Sequence, residues 1–180
     1  MAWLLEKDVR SPSARFAVVA ARFHAEITDA LLDGARAAFT AHGVPESAVD
    51  FARVPGAFEL PLACRALAET GQYSAILALG CVVRGETSHY DFVAGECCRG
   101  IMQVGLDTGF PVILGVLTTE TLAQARQRAS RAVLRGSAAL AHESGAANKL
   151  NPESNKGWEA AEAGLAMAAL LAALPSEDSR

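Results

Sequence analysis

Short apolar runs of strand length recur along this chain, and each gives way to a segment whose apolar residues return every three to four positions. Residues 15–21 (RFAVVAA) form a nearly unbroken apolar run, as expected of a strand buried on both faces. From Ile27 the period changes: Ile27, Ala30, Leu31, Gly34, Ala35 and Ala38 fall on one helical face, with Gly43 as the stop. The pattern then repeats. Residues 48–54, 74–83 and 111–117 read as strands, and residues 58–70 (closed by Gly71) and 90–106 as helices. After the fourth strand, Leu122, Ala125, Ala129, Ala132, Val133, Gly136 and Leu140 keep helical spacing. A last helix over 158–174 would face inward through Trp158, Ala161, Leu165, Ala168, Ala169 and Ala172. Strands alternating with helices require a parallel sheet, because each right-handed crossover needs a helix to bring the chain back. The expectation is one domain over residues 1–180, an α/β three-layer α/β/α sandwich with a four-stranded parallel sheet, flavodoxin-like. Residues 137–154 (SAALAHESGAANKLNPES), small, polar and broken by Pro152, read as a loop.

Composition narrows the function classes. A net charge of −4 without a Lys/Arg run argues against nucleic acid as a partner. Hydrophobic residues at 51% exclude intrinsic disorder. The longest strongly apolar stretch, 163–175, falls short of the roughly 20 residues a bilayer span needs, so no membrane partner is expected. Residues 1–10 (MAWLLEKDVR) carry acids early and no apolar core of a signal peptide, so a cytoplasmic protein is expected. Cys64, Cys81, Cys97 and Cys98 fit neither a zinc pair nor a disulfide framework, and the four histidines share no ligand spacing; no metal is expected.

In a parallel sheet, ligands bind outside the carboxyl ends of the strands, so function is sought in the segments that follow them. After the first strand comes Arg22-Phe23-His24, where an exposed Phe23 could stack on a planar ring, although an isolated Phe is more often core. After the second comes Val54-Pro55-Gly56-Ala57-Phe58-Glu59, a rigid turn that leaves first-turn amides free and sets Glu59 at a helix start as an acceptor for hydroxyls. The third is followed by Arg84-Gly85-Glu86-Thr87-Ser88-His89-Tyr90-Asp91. There Gly85 permits an unusual backbone turn, Ser88 with Asp91 resembles a capping box, and the amides of Glu86 and Thr87 could cradle a phosphate. His89, in the first helical turn, is placed to act as a neutral base. After the fourth strand, Arg126, Arg128, Arg131 and Arg135 line a helix. Most of such a row is a solvated face, but a bound phosphate would need one of them.

ARFHAEITDALLDGA, VPGAFELPLA, ALGCVVRGETSHYDFVAGE, PVILGVLTTETLAQA and NKGWEAA, in this order from Ala21 to Ala161, resemble the lumazine synthase family. The resemblance implies condensation of 5-amino-6-(D-ribitylamino)uracil with 3,4-dihydroxy-2-butanone 4-phosphate, without metal or organic cofactor. It implies that Phe23 stacks on the uracil ring and that Ala57, Phe58 and Glu59 contact the ribityl chain and pyrimidine. Cys81, Val82 and Val83 would present strand-end backbone to the uracil edge, and Glu86 and Thr87 would form the phosphate turn. His89 would transfer the proton, Arg128 would bind phosphate and Leu114 would contact substrate. The resemblance also implies a homopentamer, paired or built into larger shells in some members, with sites between neighbouring subunits and Leu114 and Arg128 coming from the neighbour. Three features depart from the family pattern. His24 stands where Asn is common, Leu114 stands where Phe is common, and 26 residues separate Arg128 from Asn155-Lys156-Gly157. A non-catalytic flavin or lumazine binder would keep Phe23 and Glu59 without needing His89 or Arg128, and a shell-forming homologue would need none of the site residues.

Overall fold

The computed structural model describes residues 14–131 and 154–174. Four strands, β1 (Phe16–Ala21), β2 (Val49–Val54), β3 (Ala75–Val83) and β4 (Val112–Thr119), pair in parallel in the order β2-β1-β3-β4. Five helices cover the sheet: α1 (Ala25–Ala41), α2 (Leu60–Ala68), α3 (His89–Thr108), α4 (Leu122–Arg128) and α5 (Lys156–Ala173). Strand alternation divides the core in two. Phe16, Val18, Ala20, Leu77 and Leu79 pack with α1 and α5, whereas Ala17, Val19, Ile76 and Ala78 pack with α2 and α3. The two central strands therefore read as continuous apolar runs. Each fully buried Leu or Val among them contributes about 1.5–3 kcal/mol by leaving water.

The α1 face expected from the sequence is the buried one: Ile27, Ala30, Leu31, Gly34, Ala35 and Ala38 are all inside. The seam between α1 and α5 is closed by small residues. A Cβ at Gly157 would overlap the Leu31 carbonyl, so α5 lies directly against the α1 backbone. Asn155 caps α5 there. Its Oδ1 accepts from the amides of Gly157 at 2.9 Å and Trp158 at 3.2 Å, and its Nδ2 donates to the Ala30 carbonyl at 3.0 Å.

Several expectations are corrected. The helix begun at Leu122 stops at Arg128, because Ala129 leaves it to form an antiparallel bridge with Asn155. Residues 132–153, which hold the later positions of that pattern, Arg135 and nearly all of the expected loop, lie outside the described residues. Of the expected inward face of α5, Ala161 is buried and Trp158, Leu165 and Ala168 pack against the core, but the residues set deepest also include Gly157, Ala160 and Gly164, and Ala172 is exposed. In a helix this rich in Ala, residue size rather than hydropathy decides which side approaches α1. The second helix opens as a 3-10 turn over Ala57–Glu59 before α2 begins. Ser88 makes no side-chain cap, since its backbone lies in the right-handed helical region rather than the extended one that aims a capping hydroxyl; the Asp91 carboxylate pairs with Arg84 instead, and Gly85 does not adopt a left-handed conformation. Among the described residues no helix is long and apolar enough to cross a membrane.

Candidate active site

The carboxyl ends of β1, β2 and β3 lie side by side, and the backbone beyond them closes a cleft of about 340 Å³. After β1 the Arg22 amide still donates to the Val54 carbonyl at 2.8 Å, tying the first two strand ends together. Phe23 follows with 67% of its surface exposed. It is not a core residue. His24 then turns the chain into α1 from the left-handed region (φ 56°, ψ 51°), the described non-glycine residue with positive φ. A His tolerates this conformation better than most side chains. Its ring meets Phe23 edge-on, with centroids 4.7 Å apart.

After β2, Glu59 reaches back so that its Oε2 accepts from the Gly56 amide at 2.9 Å, fixing the turn that buries Ala57 and leaves Phe58 59% exposed. The other oxygen of the Glu59 carboxylate meets no donor among the described residues. From β3, Cys81 is buried and Val82 and Val83 are half-buried against the cleft. Burial pushes the Cys81 thiol up to about 11, so it stays protonated and is no nucleophile near neutrality.

The loop between β3 and α3 completes the wall. Thr87 Oγ1 accepts weakly from the His89 amide at 3.4 Å, and the amides of Gly85, Glu86 and Thr87 donate to no protein acceptor among the described residues. His89 is the first residue of α3 and its exposed ring borders the cleft. Free amides at the start of a 20-residue helix make a seat for an anion. Among the described residues no Arg, Lys, Asp or Glu lines the cleft.

The 6,7-dimethyl-8-ribityllumazine synthase family profile matches residues 13–172. A 6,7-dimethyl-8-ribityllumazine synthase of Xanthomonas oryzae pv. oryzae is 51% identical over 124 residues, 69% of this chain and 80% of that protein. One of Xylella fastidiosa is 45% identical over 170 residues, 94% of this chain and 97% of that protein. The chain belongs to this family.

Of the residues that the lumazine synthase resemblance assigns, Phe23, Ala57, Phe58, Cys81, Val82, Val83, Thr87 and His89 line one cleft. Glu59 buttresses it through Gly56, and Glu86 sits exposed in the adjoining loop. Leu114 and Arg128 are elsewhere. Leu114 stands 49% exposed on β4, an edge strand, and Arg128 ends α4. Arg126 pairs with Glu26 at 3.1 Å and Arg131 with Asp33 at 2.6 Å, both on α1, whereas Arg128 donates only to the Gln124 carbonyl at 3.1 Å. Among the described arginines of this region, Arg128 alone faces no carboxylate.

Sequence reading missed Tyr90 and Val93 as lining residues, and it passed over Arg84 as a strand terminator. The Arg84 guanidinium donates to Asp91 Oδ1 at 2.8 Å and Oδ2 at 3.2 Å. It also pairs with Glu120 Oε2 at 2.8 Å and lies 4.1 Å over the Tyr90 ring. Glu120 is 36 residues away in sequence, so no local pattern could announce it. The hydrogen bond from Arg84 holds the Asp91 carboxyl below its ordinary value.

Proposed function

We propose that the protein joins 5-amino-6-(D-ribitylamino)uracil to 3,4-dihydroxy-2-butanone 4-phosphate, giving 6,7-dimethyl-8-ribityllumazine, phosphate and water, as a single-domain cytoplasmic enzyme. Phe23 offers the stacking face for the uracil, and the backbone of Cys81, Val82 and Val83 offers its hydrogen-bonding edge. The free oxygen of Glu59 accepts from ribityl hydroxyls beside Ala57 and Phe58. The unpaired amides at Glu86 and Thr87 receive the phosphate.

In this scheme the uracil amine attacks the ketone, and loss of water gives an imine. His89 takes a proton from the adjacent carbon, the electrons left behind expel phosphate, and ring closure with loss of a second water completes the product. A positioned base typically contributes about 10²–10⁴-fold. Holding two reactants in register contributes roughly 7–11 kcal/mol in favourable cases, so positioning outweighs the proton transfer.

The observation that carries the reading is a cleft that joins eight of the assigned residues and lacks a cation for the phosphate. Arg128, without a carboxylate of its own, and Leu114, exposed on an edge strand, are the residues a neighbouring copy would bring. The functional unit is therefore a homo-oligomer with its sites between subunits. Mixing the two substrates with the protein tests the reaction, with lumazine absorbance and phosphate release read together. Binding of the uracil without phosphate release would leave a non-catalytic binder.

A further inference from the structure

Arg84 belongs to the RGETSH segment that carries the proposed phosphate turn, yet its charge is already committed. One carboxylate holds it bidentately from α3 and a second holds it from the loop between β4 and α4. Its own amide donates to the Thr119 carbonyl at 2.9 Å, so backbone and side chain both bind the two loops together. The guanidinium plane also covers Tyr90, whose other surroundings include the cleft. Tyr90 and Asp91 directly follow His89 in the first turn of α3. Ser88 gives no side-chain cap and a Cβ at Gly85 would meet open space, so among the described side chains outside the helix only Thr87, through its long 3.4 Å bond from the His89 amide, also holds this turn by a hydrogen bond or ion pair.

Building on the proposed reaction, we propose that Arg84 is a positioning residue: by clamping Asp91 and Glu120 and covering Tyr90, it fixes the turn that presents His89 and the free amides of residues 85–87 to substrate. The fork geometry matters. A guanidinium meets both oxygens of Asp91 while its Nε reaches Glu120, whereas a lysine ammonium is a point charge and cannot hold all three contacts. Because the charge is matched by two carboxylates, Arg84 orients the phosphate seat without binding the phosphate.

The test compares wild type with Arg84→Lys and Arg84→Ala in a lumazine-formation assay and in hydrogen exchange of the amides of residues 85–91. Both variants are expected to lose about 10–10²-fold in kcat, the scale of a misplaced reacting group. KM for the ribitylaminouracil should hold, loop amides should exchange faster, and millimolar guanidinium should restore activity to Arg84→Ala. Wild-type kcat in Arg84→Lys would overturn the proposal. So would a selective rise in KM for the butanone phosphate, which would make Arg84 a phosphate ligand. If the wild-type protein forms no lumazine, the proposed reaction fails on its own. The exchange data still decide the clamp, and unchanged protection of residues 85–91 refutes it. Should Arg84→Ala not fold, Arg84→Lys and Glu120→Gln carry the same readouts.

Discussion

Asn155→Asp separates two jobs that one buried side chain performs. The Asn155 Oδ1 caps α5, and its Nδ2 donates to the Ala30 carbonyl at 3.0 Å and to the Ser130 carbonyl at 3.4 Å. Asp is as good a helix cap as Asn, so the substitution keeps the first job. It replaces the two donors by a carboxylate oxygen aimed at two carbonyls, in a site only 3% exposed. No room exists to turn away, since Gly34 is flush against the side chain. An unpaired buried polar group costs about 1–3 kcal/mol, and more when charged, so a loss of about 3 kcal/mol is expected. For a chain of this length that lowers the melting temperature by about 6–12 °C. Circular dichroism melts at a fixed protein concentration measure it, because assembly also stabilises by mass action. Asn155→Ala, which loses the cap but adds no charge, should be the milder change. An Asn155→Asp protein melting with wild type would mean that the Nδ2 contacts contribute nothing and that only the cap matters.

His89→Ala should lower kcat by about 10²-fold or less, with both KM values nearly unchanged, since positioning survives loss of the base; a wild-type turnover number would remove His89 from the reaction. Arg128→Ala should raise KM for the butanone phosphate well above any change for the ribitylaminouracil, because only one substrate carries the charge; equal effects in steady-state kinetics would make Arg128 structural. Light scattering should find a five- or ten-subunit particle rather than a closed shell, with residues 137–154 as the obstacle. Shortening residues 137–154 to a brief linker should then release larger assemblies, and a shell formed by the full-length chain would sink the idea.

The sheet was legible because β1 and β3 are covered on both faces, which forces unbroken apolar runs such as RFAVVAA. The α1 face was legible because its inward residues contrast with Asp29, Asp33 and Arg36 on the same helix. That contrast fails in α5, where Ala and Gly occupy most positions and backbone proximity at Gly157 chooses the face. Phe23, Glu59 and His89 could be placed because each follows a strand, and strand ends in this topology converge. Neither Arg84 nor the end of α4 could be read in the same way. The first depends on Glu120 and the second on Asn155, and both partners meet through tertiary contacts that span many residues.

The short bridge between Ala129 and Asn155 has a consequence for how the gene could be edited. Ser130 donates to the Ser154 carbonyl at 3.0 Å, and Ser154 donates back to the Gln127 carbonyl at 2.9 Å. The described chain is thus pinned together on either side of residues 132–153, much like the two sides of a buttonhole. With both ends held in this way, the closure entropy of the connection grows by only about 0.6 kcal/mol for each doubling of its length. An affinity handle inserted between 131 and 153 is therefore expected to change the melting temperature little, and a melt of the tagged protein beside wild type measures it.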